Sequence, residues 1–295
     1  MALVDVDTAA MYLGVQVGDH SLDNLISLYV NIVSKLIEED TGRRFNIQNY
    51  TEFYSGTNTD ELCTRQRPVV CYLLQGSTTN GSAVVAGLSS NANLILGMPV
   101  NGPGIPAGAT VITIDSGGTQ VTLSANATVT SSSPVNLFFG LSVWEVQQGG
   151  VGGYYGDPTG SFDSTMLLAE GTDYVLARDT DNGNQSRSGR LIRLNDVWER
   201  PIQRTAGLLT PYIGYDRGSI KIMYTAGFKT IPDDLQGACL HVVAKLSHIS
   251  PYGRDISSES YEERNIGYAV LRDKRGLLSE VAPILAAYKN LHWGG

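Results

Sequence analysis

The chain is short of positive charge. Its 295 residues hold 21 Lys and Arg against 29 Asp and Glu, a formal net charge of −8, and no stretch concentrates the basic ones. Strong binding to nucleic acid neutralises many phosphates with a basic surface, so this balance argues against a protein that grips DNA. Cysteine is scarce as well. Cys63, Cys71 and Cys239 cannot make a disulfide framework, and Cys63 and Cys71 lack the second pair of a Cys-x-x-Cys zinc or redox motif. They read as reduced, buried thiols in a protein assembled in the cytosol. No apolar run approaches the roughly 18 residues of a membrane span, and Met1 to Ala10 lacks the basic-then-apolar pattern of a secretory leader.

Patterns for chemistry are also missing. The four histidines are His20, His241, His248 and His292. His241 and His248 share one predicted helix but have no ligand partners at zinc spacing. Asp179 to Asn184 resembles the start of a calcium loop, yet Gly183 falls one place early and Arg190 stands where a bidentate Glu is needed, so the segment reads as a hairpin turn. Gly149-Gly150-Val151-Gly152-Gly153 has no Lys-Ser/Thr ending and leads into no helix, and there is no Gly-x-Ser-x-Gly elbow. Asp157, Asp163, Glu170 and Asp173 show no pairing in their spacing. The reading is of a non-enzyme with no catalytic residue, no metal and no cofactor.

What is present is patterned for packing. An apolar segment from Ala9 to Leu13 follows Asp5 and Asp7 and stops at Gly14. A longer helix, capped by Asp19 or Ser21, repeats Leu22, Leu25, Ile26, Tyr29, Ile32, Val33, Leu36 and Ile37 as one broad stripe and closes at Thr41-Gly42. The opposite face is acidic, with Asp5, Asp7, Asp19, Asp23, Glu38, Glu39 and Asp40 against Lys35 alone; it calls for water or a basic neighbour. Strands are predicted around Tyr50–Tyr54, Val69–Leu74, Val143–Val146, Tyr174–Ala177, Arg190–Leu194 and Ser219–Tyr224. Thr205 to Gly218 reads as loop. A helix opened by Pro232 carries Leu235, Ala238, Cys239, Val242, Val243, Leu246 and Ile249 on one face, and a last periodic piece runs from Leu277 to Leu291 with Pro283 limiting its start.

Composition changes abruptly between residues 76 and 140. There the only ionisable side chain is Asp115, while Gly, Ser, Thr, Asn and Ala dominate. Leu94-Ile95-Leu96, Val111-Ile112 and Leu137-Phe138-Phe139 nonetheless need burial, which a disordered linker would not provide. The expectation is therefore an α+β protein. A domain of residues 1–75 plus 141–295 packs N- and C-terminal helices around a small antiparallel sheet, and a small all-β domain, 76–140, is inserted in it. Tyr154 and Tyr155, between glycines in the loop Gly149–Gly160, are candidates for ordering against a partner.

Several segments in sequence order resemble the head-tail connector, or adaptor, family of tailed bacteriophages. They are Val4 to Leu13 and the helix ending Glu38-Glu39-Asp40-Thr41-Gly42-Arg43, then Arg67-Pro68-Val69-Val70 and Gly171 to Leu176. The C-terminal part is the most telling: Ile220-Lys221-Ile222-Met223-Tyr224-Thr225-Ala226-Gly227-Phe228, then Ile231-Pro232-Asp233-Asp234-Leu235 and the helix from Gln236 to Leu246. The inserted Val84 to Ser90, Leu96 to Val100, Gly104 to Thr110 and Val121 to Ala127 are similar to a small β module that recurs in phage tail and fibre proteins.

The resemblance implies a structural virion protein at the head-tail junction. It would be a ring, of twelve copies, docked on the portal with tail or nozzle proteins beneath, and a conduit through which DNA passes without specific binding. An acidic balance suits such a passage, because attraction would slow the genome. Assembly contacts would include Tyr154, Tyr155, Asp5, Asp7, Asp19 and Asp23. Two other readings stay open. In one, the protein is an outward-displayed decoration or carbohydrate-contacting virion protein, which the absence of Tyr, Trp and Phe from residues 76–136 weakens. In the other, it is a hydrolase, which would need Asp/Glu pairs about 5–9 Å apart in a cleft.

Overall fold

The computed structural model describes residues 2–16, 20–145, 162, 164–180, 183–199, 202–205, 208–211, 219–247, 258–261, 264–267 and 274–289. Helices and antiparallel strands are both present, so the class is mixed α+β. The chain divides into two compact units, Met1–Asn46 with Phe228–Gly294, and Ile47–Gly227.

The first unit is helical and joins the two ends of the chain. Its helices are α1 (Val6–Tyr12), α2 (Asp23–Thr41), α3 (Asp233–Ser247), α4 (Lys274–Leu278) and α5 (Ala282–Ala286). Asp5 caps α1, its carboxylate accepting from the Thr8 amide at 2.8 Å and the Thr8 hydroxyl at 2.7 Å. Gly42 ends α2 in the left-handed conformation, φ 66°, and its N–H returns to the Glu38 carbonyl. That geometry suits glycine, which has no Cβ to crowd it.

The start of α2 differs from expectation. Leu22 is the N-cap and no side chain makes a capping bond, so Ser21 does not fill that role, and Asp19 lies outside the described residues. Asp23 in the first turn meets the positive end of the helix dipole instead, and its Oδ2 lies 2.8 Å from His20 Nδ1. The final helix also differs: it is two short helices, with Pro283 at the start of the second, where a proline lacks no needed donor. Ile249 and Leu291 lie outside the described residues.

Neither long helix could bury its apolar face alone. Ile26, Val30, Val33 and Ile37 of α2 meet Leu235, Ala238, Cys239, Val242 and Val243 of α3, with Ala9 of α1 and Leu278, Val281 and Leu285 completing the core. Tyr288 closes one end, edge-on to Phe45 at 5.7 Å and to Phe228 at 6.3 Å.

The second unit is built of β-strands. It begins with β1 (Gln48–Tyr54), β2 (Glu61–Cys63) and β3 (Val69–Val70). The middle region holds β4 (Tyr72–Gly76), β5 (Val84–Val85), β6 (Val100–Asn101), β7 (Val111–Ile114), β8 (Val121–Leu123) and β9 (Val135–Phe139). There follow β10 (Leu141–Glu145), β11 (Leu167–Leu168), β12 (Tyr174–Leu176), β13 (Gln185–Ser186), β14 (Arg190–Arg193), β15 (Ile202–Thr205), β16 (Leu208–Pro211) and β17 (Ile220–Ala226).

β17 is the axis of this unit. It pairs antiparallel with β1 along its whole length on one side, and with β10 and then β3 on the other. Its inward residues Ile220, Ile222, Tyr224 and Ala226 are fully buried, with Leu141, Val143 and the rings of Tyr174 and Trp198 in the same core. β12, β14 and β2 form a second sheet. Two expectations are corrected here. The run Val69–Leu74 is two strands broken at Cys71, and the stretch from Thr205 is not all loop, since β15 and β16 form a two-stranded hairpin.

In the middle region, β4–β9–β6 and β5–β8–β7 are two three-stranded sheets around Val85, Leu94, Met98, Val111, Val121, Leu123, Leu137 and Phe139. Val70 and Tyr72 contribute to the same core. The chain enters through β3–Cys71–β4 and leaves through β9–Gly140–β10, and the two crossings touch. Gly140 has φ 113°, a Cβ there would stand 2.2 Å from the Val70 carbonyl oxygen, and its own carbonyl takes the Thr225 amide at 2.8 Å.

Only glycine tolerates both that conformation and that approach. Gly140→Ala is expected to destabilise the protein by about 3 kcal/mol or more, the sum of a strained backbone and a forced displacement. Urea unfolding followed by tryptophan fluorescence measures this.

Candidate functional site

Several buried titratable groups are tied into structural pairs. Glu52 on β1 accepts the Tyr224 hydroxyl at 2.8 Å and also that of Tyr54. The Tyr54 oxygen takes the Arg65 amide at 2.9 Å and the Tyr224 oxygen takes that of Gln66 at 3.1 Å. Burial first, and then the neighbouring charges, raise both phenols far above the usual range, so they stay protonated and donate to the carboxylate. The network fixes the loop between β2 and β3 to the central sheet.

Cys71, at the strand break, is fully buried. Its Sγ lies 3.5 Å from Glu170 Oε2 and 3.7 Å from Arg178, and Glu170 and Arg178 are themselves an ion pair. Burial pushes the Cys71 thiol well up, and burial takes Cys239 to about 11. Neither offers a thiolate, the nucleophilic form, at neutral pH.

Glu145 and Arg193 form a second buried pair, 2.8 Å apart, joining β10 to β14. Glu145 also accepts the Glu199 amide at 3.2 Å, and Arg193 donates to the Asp173 carbonyl at 2.9 Å while its guanidinium sits 5.5 Å from the centre of the Trp198 ring. Burial raises the Glu145 carboxyl above the usual carboxylate value, and Arg193 offsets part of that rise.

Of the sequence candidates, Asp5 is the cap of α1, Asp7 is exposed in its first turn, and Asp23 contacts His20. Tyr154, Tyr155 and Asp19 lie outside the described residues, as do Asp157, Asp163, His248 and His292. His241 meets Glu280 at 2.6 Å, with Lys245 on the other carboxylate oxygen at 2.5 Å. Asp179 accepts the amides of Arg187 and Ser188, closing the predicted turn. Among the described residues no group of three His, Cys, Asp or Glu is arranged to hold a metal ion, and no described helix is long and apolar enough to cross a membrane.

The feature left over is on α2. At 100° per residue the buried Ile26, Val30, Val33 and Ile37 define one face, and Leu25, Leu28 and Ile32 define another about 140° away. These three are 44%, 54% and 40% exposed, while Tyr29 and Leu36 on the shoulder between are half-buried. The single stripe expected from sequence is therefore two faces, only one of which is covered. Leu28 was outside that stripe. The signal that could have found it was present, because Leu25, Leu28 and Ile32 recur at three and four residues.

No protein-family model matches this chain, and no curated protein matches it. Among solved structures it is similar to a chain from the neck of an empty GTA particle, computed with C6 symmetry. The match has 14% sequence identity and a TM-score of 0.35, and covers 100% of this chain and 97% of that chain.

The Glu145–Arg193 pair makes a clear prediction. Removing one partner of a buried pair strands the other, so Arg193→Met is expected to cost about 3–5 kcal/mol at pH 7. A carboxyl whose folded-state pKa is raised supports folding on the acid side and loses that support as pH rises through its value. The loss should therefore be smaller at pH 5 than at pH 7, as urea unfolding at the two values will show.

Proposed function

We propose that this protein is a structural virion component, a ring-shaped adaptor between portal and tail through which the genome passes. The observation that carries the proposal is the second apolar face of α2. A helix with one face buried and another apolar face in water is built for a second partner. The segments that resemble head-tail connectors supply the identity of that partner: in a closed ring, every subunit offers the same surface to the next. In this reading the copy number is twelve and the acidic positions Asp5, Asp7, Asp19 and Asp23, with Tyr154 and Tyr155, belong to contacts with neighbouring proteins. Residues 76–140 are an accessory domain inserted into a connector of residues 1–75 plus 141–295. The role is not catalytic; the paired carboxylates described above hold loops and sheets together.

Mass measurement of the purified chain, alone and mixed with a portal ring, tests the proposal. A ring bound to portal is expected, and failure to bind either portal or tail components overturns it. Leu28→Asp places a charge on the exposed face without touching the core, so monomer stability should change by no more than about 0.5 kcal/mol. Ring formation should be lost.

A further inference from the structure

The ring reading leaves open how one subunit holds the next. Three half-exposed side chains on α2 are far less than the roughly 1,200–2,000 Å² that a stable interface buries. A second contact is needed, and β1 has the form of one.

The outward edge of β1 can be read from the register. The Thr225 amide donates to Gly140, so Thr225 faces the β10 side of β17. Because alternate residues of a strand direct their backbone groups to opposite sides, Tyr224, Ile222 and Ile220 face β1, where they pair with Tyr50, Glu52 and Tyr54. Asn49, Thr51 and Phe53 then present their N–H and C=O groups on the far edge. All three residues are exposed, and among the described residues no further strand pairs with β1 and no backbone group bonds to their N–H and C=O groups on that edge; the Asn49 side chain donates to the Leu96 carbonyl at 2.8 Å.

Natural edges are blunted by Lys, Pro, bulges or inward-pointing charge. Gln48 to Tyr54 contains no Lys or Pro, its pairing with β17 is unbroken over seven positions, and its one charge, Glu52, is occupied by the two tyrosine hydroxyls.

The same chain carries a two-stranded sheet. Among the described residues β15 and β16 pair only with each other, and a hairpin standing by itself is marginally stable in water. Pro211, with no N–H to give, closes β16, so β15 offers the better edge.

We propose that the β1 edge of one subunit is extended by β15 of the next copy, so that strand pairing closes the ring. Donor and acceptor are different surfaces of one chain, which makes the contact heterologous and repeating, the kind that closes on itself when the rotation allows. This deepens the adaptor reading and rests on it.

Thr51→Pro is the decisive variant. It deletes an N–H that β17 does not use, so the sheet can form, and it blocks the outer edge. Should that variant not fold, Thr51→Lys places an edge charge at an exposed position. Either is expected to abolish the ring while the monomer keeps its unfolding midpoint. In the wild-type ring, amide exchange at Asn49, Thr51 and Phe53 should be at least about tenfold slower than in the monomer. In a Cys63→Ser background, Thr51→Cys with Arg204→Cys should give oxidised ladders longer than dimers. A folded edge variant that still forms rings overturns the inference and leaves the adaptor reading intact. Dimers from Thr51→Cys alone, the mark of β1 pairing with β1, overturn it as well. A wild-type chain that never assembles, even on portal, overturns both.

Discussion

The approach of Gly140 to the Val70 carbonyl is the constraint on which the β unit depends. At this point two strands that lie end to end along β17 leave the central sheet and continue, after one residue each, as neighbours in another. A side chain at residue 140 would push the crossings apart. Val70 would then leave the core of the middle region, and Thr225 would lose the acceptor that sets β17 against β10. One absent methyl group thus fixes the register of a central strand and the entry to a region of more than sixty residues.

Buried charge serves the same end elsewhere. Glu170 with Arg178 and Glu145 with Arg193 sit where strands of different sheets meet, places that apolar contact alone would leave free to slide. Taking such pairs out of water gives little net stability, but a misplaced strand would strand a charge. The tyrosine hydroxyls on Glu52 act likewise on the loop that leads into β3. Of the carboxylates considered for hydrolysis, Glu170 is held by Arg178 and Asp173 by the Ala169 amide.

Much of this was legible in the residues. Asp5 before α1, Gly42 after α2 and Pro232 ahead of α3 mark helix ends by local chemistry, and the alternation in Tyr50–Tyr54 marks a strand. The charge-poor composition of residues 76–140 marked a β-rich stretch, whose strands form two three-stranded sheets within the unit Ile47–Gly227. What could not be read was set by contacts distant in sequence. Nothing local says that Val69–Leu74 breaks at Cys71, because the break lies where the chain changes partners, from β17 and β13 to β9. The width of apolar residues on α2 was visible, but not which part of it the core would cover, since that depends on where α3 lies. Nor can a sequence say that β1 is an edge: the property belongs to the sheet and not to the strand.

The double crossing has one more consequence. A region tethered by a single flexible linker swings freely, and a load on it is lost in the linker. Here both tethers are strands hydrogen-bonded to β17, and the entering strand alternates between the two cores, Val69 and Cys71 in one and Val70 and Tyr72 in the other. Torque applied to the sheets of residues 72–139 would therefore be delivered to the middle of the central sheet.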